Sequence, residues 1–243
     1  MVEKFATSRT SPGSKRAVLV DALGTLLWLD PPAGRLCALL GEREGFVLSE
    51  AAASRAFAAE IAFYRAHHLA GRDAAGLAEL RLHCAEALRD ELPGGDSLRL
   101  ESVRDALLAS LRFVAYPDAR PALAALRARG LAVVVVSNWD CSLAEVLAGA
   151  GLAELVDGVC TSAEAGAAKP DPAVFRAALA LAAVAPGAAL HVGDTAAADL
   201  AGARAAGIDA ALLVRHGEPP PGLAAPAVRS LAELPGLVAS AST

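Results

Sequence analysis

Apolar positions fall into three regimes along this chain. The first is a continuous run, Ala17-Val18-Leu19-Val20, that stops at Asp21 before Gly24 and Thr25 turn the backbone. A buried parallel strand ends this way when it delivers one side chain to the rim of a sheet. From about Pro31 to Val114 the spacing becomes helical. Ser49 is a plausible N-cap, and Phe57, Ile61 and Tyr64 then recur at helical intervals. Leu77, Leu80, Cys84 and Leu88 form a second stripe, which Pro93-Gly94-Gly95 breaks; Leu100, Val103, Leu107 and Leu111 form a third. No strand is evident in this stretch.

After Tyr116-Pro117 the pattern alternates as βαβ units do. Helices are predicted over 118–129, 141–149 and 197–206, with another starting at Pro170-Asp171-Pro172. Strands are predicted over 131–136, 158–161, 189–192 and 210–214. The fold class is therefore α/β: a Rossmann-like, doubly wound parallel sheet with an inserted all-helical segment. Residues 1–16 read as a flexible tail, 17–26 and 116–243 as a discontinuous core, and 27–115 as the helical insert covering a site.

Composition narrows the function classes. A net charge of −5 argues against a general nucleic-acid binder, whose surface is basic. Cys37, Cys84, Cys141 and Cys160 are far apart and form no CxxC pair, which fits free thiols better than a disulfide framework or a zinc site. No apolar run is long enough to span a membrane, and the first residues lack the apolar centre of a secretory signal. The expectation is a cytoplasmic protein acting on a small molecule.

Chemistry-bearing residues sit at the predicted strand ends, where ligands bind in open α/β sheets. Besides Asp21, these are Ser137-Asn138-Trp139-Asp140, then Lys169-Pro170, then Gly193-Asp194 with Asp199 beyond. Lys169 stands apart because the other lysines, Lys4 and Lys15, belong to the tail. If the strands carrying Asp21 and Asp194 are neighbours, several carboxylates share one crevice. Mg²⁺ is the natural cation to separate them, since it takes oxygen ligands and binds one or two carboxylates plus a substrate phosphate.

These residues, in this order, resemble the four motifs of the haloacid dehalogenase superfamily: Asp21-x-x-Gly24-Thr25, Ser137-Asn138, Lys169-Pro170 and Gly193-Asp194-x₄-Asp199. The helical insert resembles the superfamily's C1 cap. The stretch from Ser137 to Gly207 is similar to the subgroup of haloacid-dehalogenase-like hydrolase domain-containing protein 3. The resemblance implies that Asp21 is a nucleophile forming an aspartyl-phosphate, and that Ser137, Asn138, Gly24 and Thr25 contact the phosphoryl group. It implies that Lys169 offsets charge on both. It assigns Mg²⁺ to Asp21, Asp194 and the backbone carbonyl of Leu23, with Asp199 supporting the site or orienting Lys169.

One departure matters. Phosphatases of this superfamily carry a second Asp, a general acid/base, where this chain has Leu23. Asp140 is a candidate stand-in. Two alternatives follow: a metal-free 2-haloacid dehalogenase, with Arg35 as candidate substrate anchor, or a binding protein that kept the fold without turnover. A cap-lysine Schiff base does not fit, because 27–115 contains no lysine. Trp28 and Trp139 are candidate pocket residues.

Overall fold

The computed structural model describes residues 14–240. β1 (Ala17–Val20) is followed by β2 (Leu27–Asp30), then by α1 (Ala33–Glu44), α2 (Glu50–His67), α3 (Ala74–Asp90), α4 (Leu100–Ser110) and β3 (Arg112–Ala115). Alternation then begins with α5 (Ala119–Ala128), β4 (Ala132–Ser137), α6 (Leu143–Gly149), β5 (Gly158–Thr161), α7 (Ser162–Ala165) and α8 (Pro172–Ala182). It ends with β6 (Ala189–Gly193), α9 (Ala201–Ala205), β7 (Asp209–Leu213), β8 (Ala227–Val228) and α10 (Leu234–Ser240).

The main sheet is parallel, in the order β5-β4-β1-β6-β7-β8. β1 therefore lies between β4 and β6, with Val20 opposite Val135 on one side and Val192 on the other. The period of two sorts β1 by face. Val18 and Val20 pack with Leu123, Leu126 and Leu143, whereas Ala17 and Leu19 pack with Phe175, Ala178 and Ala203. Both faces are covered by helices, so the strands read as unbroken apolar runs.

α1 to α4 have a core of their own, built from Leu36, Leu40, Phe57, Leu80, Leu88 and Leu107. Ser49 and Asp73 cap α2 and α3 by accepting from Ala52 N and Gly76 N. These helices are joined to the sheet through an antiparallel ribbon in which Leu27 faces Ala115 and Asp30 faces Arg112. That ribbon corrects the strand-free reading of this stretch. Four residues are too few to display alternation, and β2 follows the turn directly.

Further differences lie at element ends. Lys15, grouped with the tail, is buried; its Nζ donates to Gly187 O at 2.9 Å and pairs with Asp209 Oδ2 at 2.5 Å. Residues 1–13 of the expected tail lie outside the described residues. β8 and α10 follow the Pro219-Pro220-Pro221 loop, beyond the last strand that the pattern predicts. Among the described residues, no helix is long and apolar enough to cross a membrane.

Candidate active site

The register of the three central strands brings the ends of β1, β4 and β6 together. Asp21 follows β1, Ser137 closes β4, and Asp194 follows β6. Asp21 is buried. Its Oδ1 accepts from Ser137 Oγ at 2.9 Å and from Lys169 Nζ at 2.6 Å. Its Oδ2 has only a long bond from Thr25 Oγ1, at 3.3 Å, which leaves lone pairs open toward the crevice. Lys169 Nζ also reaches Asp199 Oδ1 at 2.6 Å. Burial alone would lower the lysine pKa, but the two carboxylates outweigh it and hold it above the ordinary value.

Asp199 is fully engaged. Its Oδ1 also meets His191 Nε2 at 2.9 Å, and its Oδ2 accepts from Thr195 N at 3.0 Å. Burial opposes its charge, yet the His191 hydrogen bond and the Lys169 charge keep its pKa well below the usual range. Asp194 is in the opposite situation. Asp194 is solvent-exposed, yet partial desolvation and then the charge of Asp21 push its pKa up, and the Thr195 hydrogen bond and Lys169 offset only part of that. Oxygens of Asp21, Asp194 and Asp199 lie within 4.8 Å of one another, so the group can hold a cation. Because Asp199 is spent on Lys169, His191 and Thr195, the oxygens with capacity to spare belong to Asp21 and Asp194.

Two glycines make this closeness possible. Gly24 has φ +83°, and a Cβ there would lie 2.0 Å from Asp194 Oδ2. A Cβ on Gly193 would lie 2.1 Å from Asp199 Cγ. The Asn138 amide makes reciprocal bonds to the backbone of Lys169, accepting from its N at 2.7 Å and donating to its O at 3.1 Å. It therefore fixes the lysine segment, a task the motif alone did not suggest.

Sequence reasoning missed two supporting residues. His191 is fully buried, between Leu19 O at 3.1 Å and Asp199. Arg215 donates to Gly24 O and Thr25 O, pairs with Asp118, and stacks 3.6 Å over the Tyr116 ring. It holds the turn that follows Asp21. A lone His inside an apolar strand was the available signal for the first. Nothing in the local sequence marks Arg215.

A cavity of about 1060 Å³ opens above the carboxylates, between the sheet rim and α2, α3 and α4. Leu23, Trp28, Trp139 and Asp140 line it, and Leu23 is 40% exposed. Arg35 does not line it. Its guanidinium is taken by Asp30 at 2.7 Å and by Ser110 O at 2.8 Å. The cavity's arginines are Arg65 and Arg81 instead. Asp140 is buried, with Oδ2 accepting from Tyr64 Oη at 3.0 Å and Oδ1 from Ser142 N at 2.8 Å.

Comparison with known proteins gives the family and the fold. A family model described as a haloacid dehalogenase-like hydrolase matches residues 15–207. Haloacid dehalogenase-like hydrolase domain-containing protein 3 of Bos taurus is 46% identical over 95 residues, covering 39% of this chain and 38% of that protein. A phosphoserine phosphatase of Thermus thermophilus is 40% identical over 146 residues, covering 59% of this chain and 58% of that protein. The matches thus span less than two thirds of either relative. The crystal structure of an L-2-haloacid dehalogenase superposes with a TM-score of 0.66 at 26% identity, covering 93% of this chain and 99% of that one.

Proposed function

The chain belongs to the haloacid dehalogenase-like hydrolases, and from that premise we propose a Mg²⁺-dependent phosphatase that works through an aspartyl-phosphate on Asp21. The observation that carries this reading is the unequal neutralisation of the three acids. Lys169 serves Asp21 and Asp199, while Asp194 is left beside Asp21 with its pKa raised. A divalent cation held by Asp21 and Asp194 would relieve that repulsion. The donors are hard oxygens, which suits Mg²⁺, and the Leu23 carbonyl would be a third ligand. Similarity to a phosphoserine phosphatase supports the same chemistry.

When bound, Mg²⁺ supplies charge neutralisation and alignment of an in-line displacement. The protein's own groups do the rest. One Asp21 oxygen attacks phosphorus, and the ester P–O bond breaks with its electrons leaving on the departing oxygen. Ser137 and Lys169 hold the Asp21 carboxylate in place and face the phosphoryl oxygens. Asn138 fixes the Lys169 backbone, and Asp199 with His191 aims its ammonium. In the second step water attacks phosphorus, inorganic phosphate departs, and the Asp21 carboxylate is regenerated. The helical unit covers the cavity as a cap and shapes its substrate side.

Leu23 can neither protonate the leaving group nor activate water. Asp140 does not fill that role well, because both its oxygens are engaged by Tyr64 and Ser142. Aryl and acyl phosphates, whose leaving groups depart without a proton, are therefore the favoured class, and alkyl phosphates turn over slowly. A metal-free dehalogenase draws support from Leu23 and from the solved dehalogenase. It is the weaker reading because Arg35 is occupied and Asp194 would remain a charge without a partner cation beside Asp21.

The mechanism is tested with beryllofluoride, which mimics the acyl-phosphate on a carboxylate. With Mg²⁺ the protein forms a stable complex, and Asp21→Asn abolishes both the complex and turnover. Full phosphatase activity in Asp21→Asn would remove Asp21 from the nucleophile's role.

A further inference from the structure

The wall of the cavity formed by α2 and the turn that follows it carries polar groups that the phosphoryl chemistry leaves unused. Glu60, Tyr64 and His68 recur four residues apart and all line the cavity. Tyr64 is spent on Asp140. Glu60 is 6% exposed, and its partner is the Cys84 thiol of α3 rather than a cation. Arg65 and Arg81 line the same cavity, yet neither forms an ion pair with Glu60 among the described residues. His68 is 7% exposed, and its Nδ1 lies 3.0 Å from Arg65 O, which only accepts. Nδ1 therefore carries a hydrogen, and Nε2 of the neutral ring is a lone pair. That Nε2 is buried without a partner.

This wall is thus rich in acceptors. Glu60 and His68 are both nine-tenths buried, both face the cavity, and both have hydrogen-bonding capacity that no protein group uses. Eight residues of helical rise set them roughly 12 Å apart, so they meet different parts of a ligand. Buried charge is stable only when paired, and the protein supplies Glu60 with no cation, so without a ligand the carboxyl keeps its proton toward neutral pH. A hydroxyl would leave it neutral. An ammonium group would pair with the ionised form and favour it. On the phosphatase reading the floor of the cavity takes the phosphate, so the ligand that fits carries phosphate at one end and a cation at the other.

We propose that Glu60 is the counter-ion of an amino group on the substrate's leaving portion, with His68 Nε2 accepting a second hydrogen bond from the same ligand. The inference rests on the phosphatase reading only for the reacting end. It makes Glu60 a specificity-determining residue, since it acts on the body of the substrate and not on the reacting atoms.

The test uses two matched series on the full chain: 4-(ω-aminoalkyl)phenyl phosphates with one to three methylenes, and 4-alkylphenyl phosphates of the same lengths. In the wild type at least one amine has kcat/KM about tenfold or more above its alkyl match, the size of one charge-assisted hydrogen bond, and the gain lies in KM. In Glu60→Gln that ratio falls to about 1. The ratio is internal to each protein, so a partly unfolded variant lowers both rates and leaves the comparison valid. Calorimetric titration of the wild type and Glu60→Gln with the 4-(ω-aminoalkyl)phenols reads the subsite without turnover. Amine binding that Glu60→Gln removes, with no phosphate released from either series, keeps this inference and defeats the phosphatase reading. Equal kcat/KM for the two series in the wild type overturns this inference while the phosphatase reading stands. Amine preference that survives Glu60→Gln overturns it as well. So does an equal gain from hydroxyalkyl compounds, which would assign the wall to neutral donors.

Discussion

Position 23 shows how much one side chain controls when the surrounding charges are in place. Its side chain is 40% exposed toward the cavity, so exchanging it disturbs little packing. Leu23→Asp is expected to raise alkyl phosphate turnover by about 10-fold or more, the lower part of the usual worth of a positioned acid/base. Single-turnover kinetics with one aryl and one alkyl phosphate measure this. The wild type should show a burst of leaving group and then slow turnover, because hydrolysis of the intermediate lacks a base, and the variant should shorten the slow phase. Equal wild-type rates on both substrates would place the proton donor elsewhere, and Asp140 would be the first to mutate. Asp194 makes a second claim at this scale. Mg²⁺ should stabilise the wild type against heat, by about 2.7 kcal/mol at a hundredfold excess over Kd, and Asp194→Asn should lose most of that gain.

Helix α2 carries a stability cost that belongs to the element. Burial raises the Glu60 pKa from 4.5 to about 7. The folded protein therefore holds a proton that the unfolded chain has released, so the cost is absent below pH 4.5, and stability is lost as pH rises through about 7. The shift corresponds to roughly 3 kcal/mol. Glu60→Gln should flatten the stability curve across this window, as chemical denaturation at several pH values will show. An unchanged pH dependence in the variant would mean that Glu60 is solvated. α2 was also among the more legible elements, because Ser49 caps it as its sequence predicts and the helix, eighteen residues long, carries the Phe57, Ile61, Tyr64 stripe. β2 and β3 were not legible. Each has four residues, and what makes them strands is their pairing with each other across the helical segment. β8 and α10 lie past a proline-rich loop and have little pattern of their own.

At the scale of the whole molecule, the site was legible where the sheet alone decides position. A run of apolar residues ending in Asp21, Ser137 or Asp194 marks a strand end, and parallel order between neighbours brings such ends together. Arg215 and Glu60 escaped because their partners are 190 and 24 residues away along the chain, across contacts that only the packed structure makes; His191 and His68 have partners only 8 and 3 residues away, and it is their burial beside the site that the sequence does not display. Arg35 was misplaced for the same reason, since Asp30 and Ser110 O capture it within the helical unit. The cavity itself is a property of the assembly, with a carboxylate floor from the sheet and an acceptor-rich wall from α2. The central claim is that this floor performs metal-assisted phosphoryl transfer. The most direct measurement is product release in parallel assays, phosphate from 4-nitrophenyl phosphate and chloride from 2-chloropropionate, each with Mg²⁺ and with chelator. Phosphate should be released only when Mg²⁺ is present, and chloride under neither condition. Chloride released in chelator, with no phosphate in Mg²⁺, would contradict that claim.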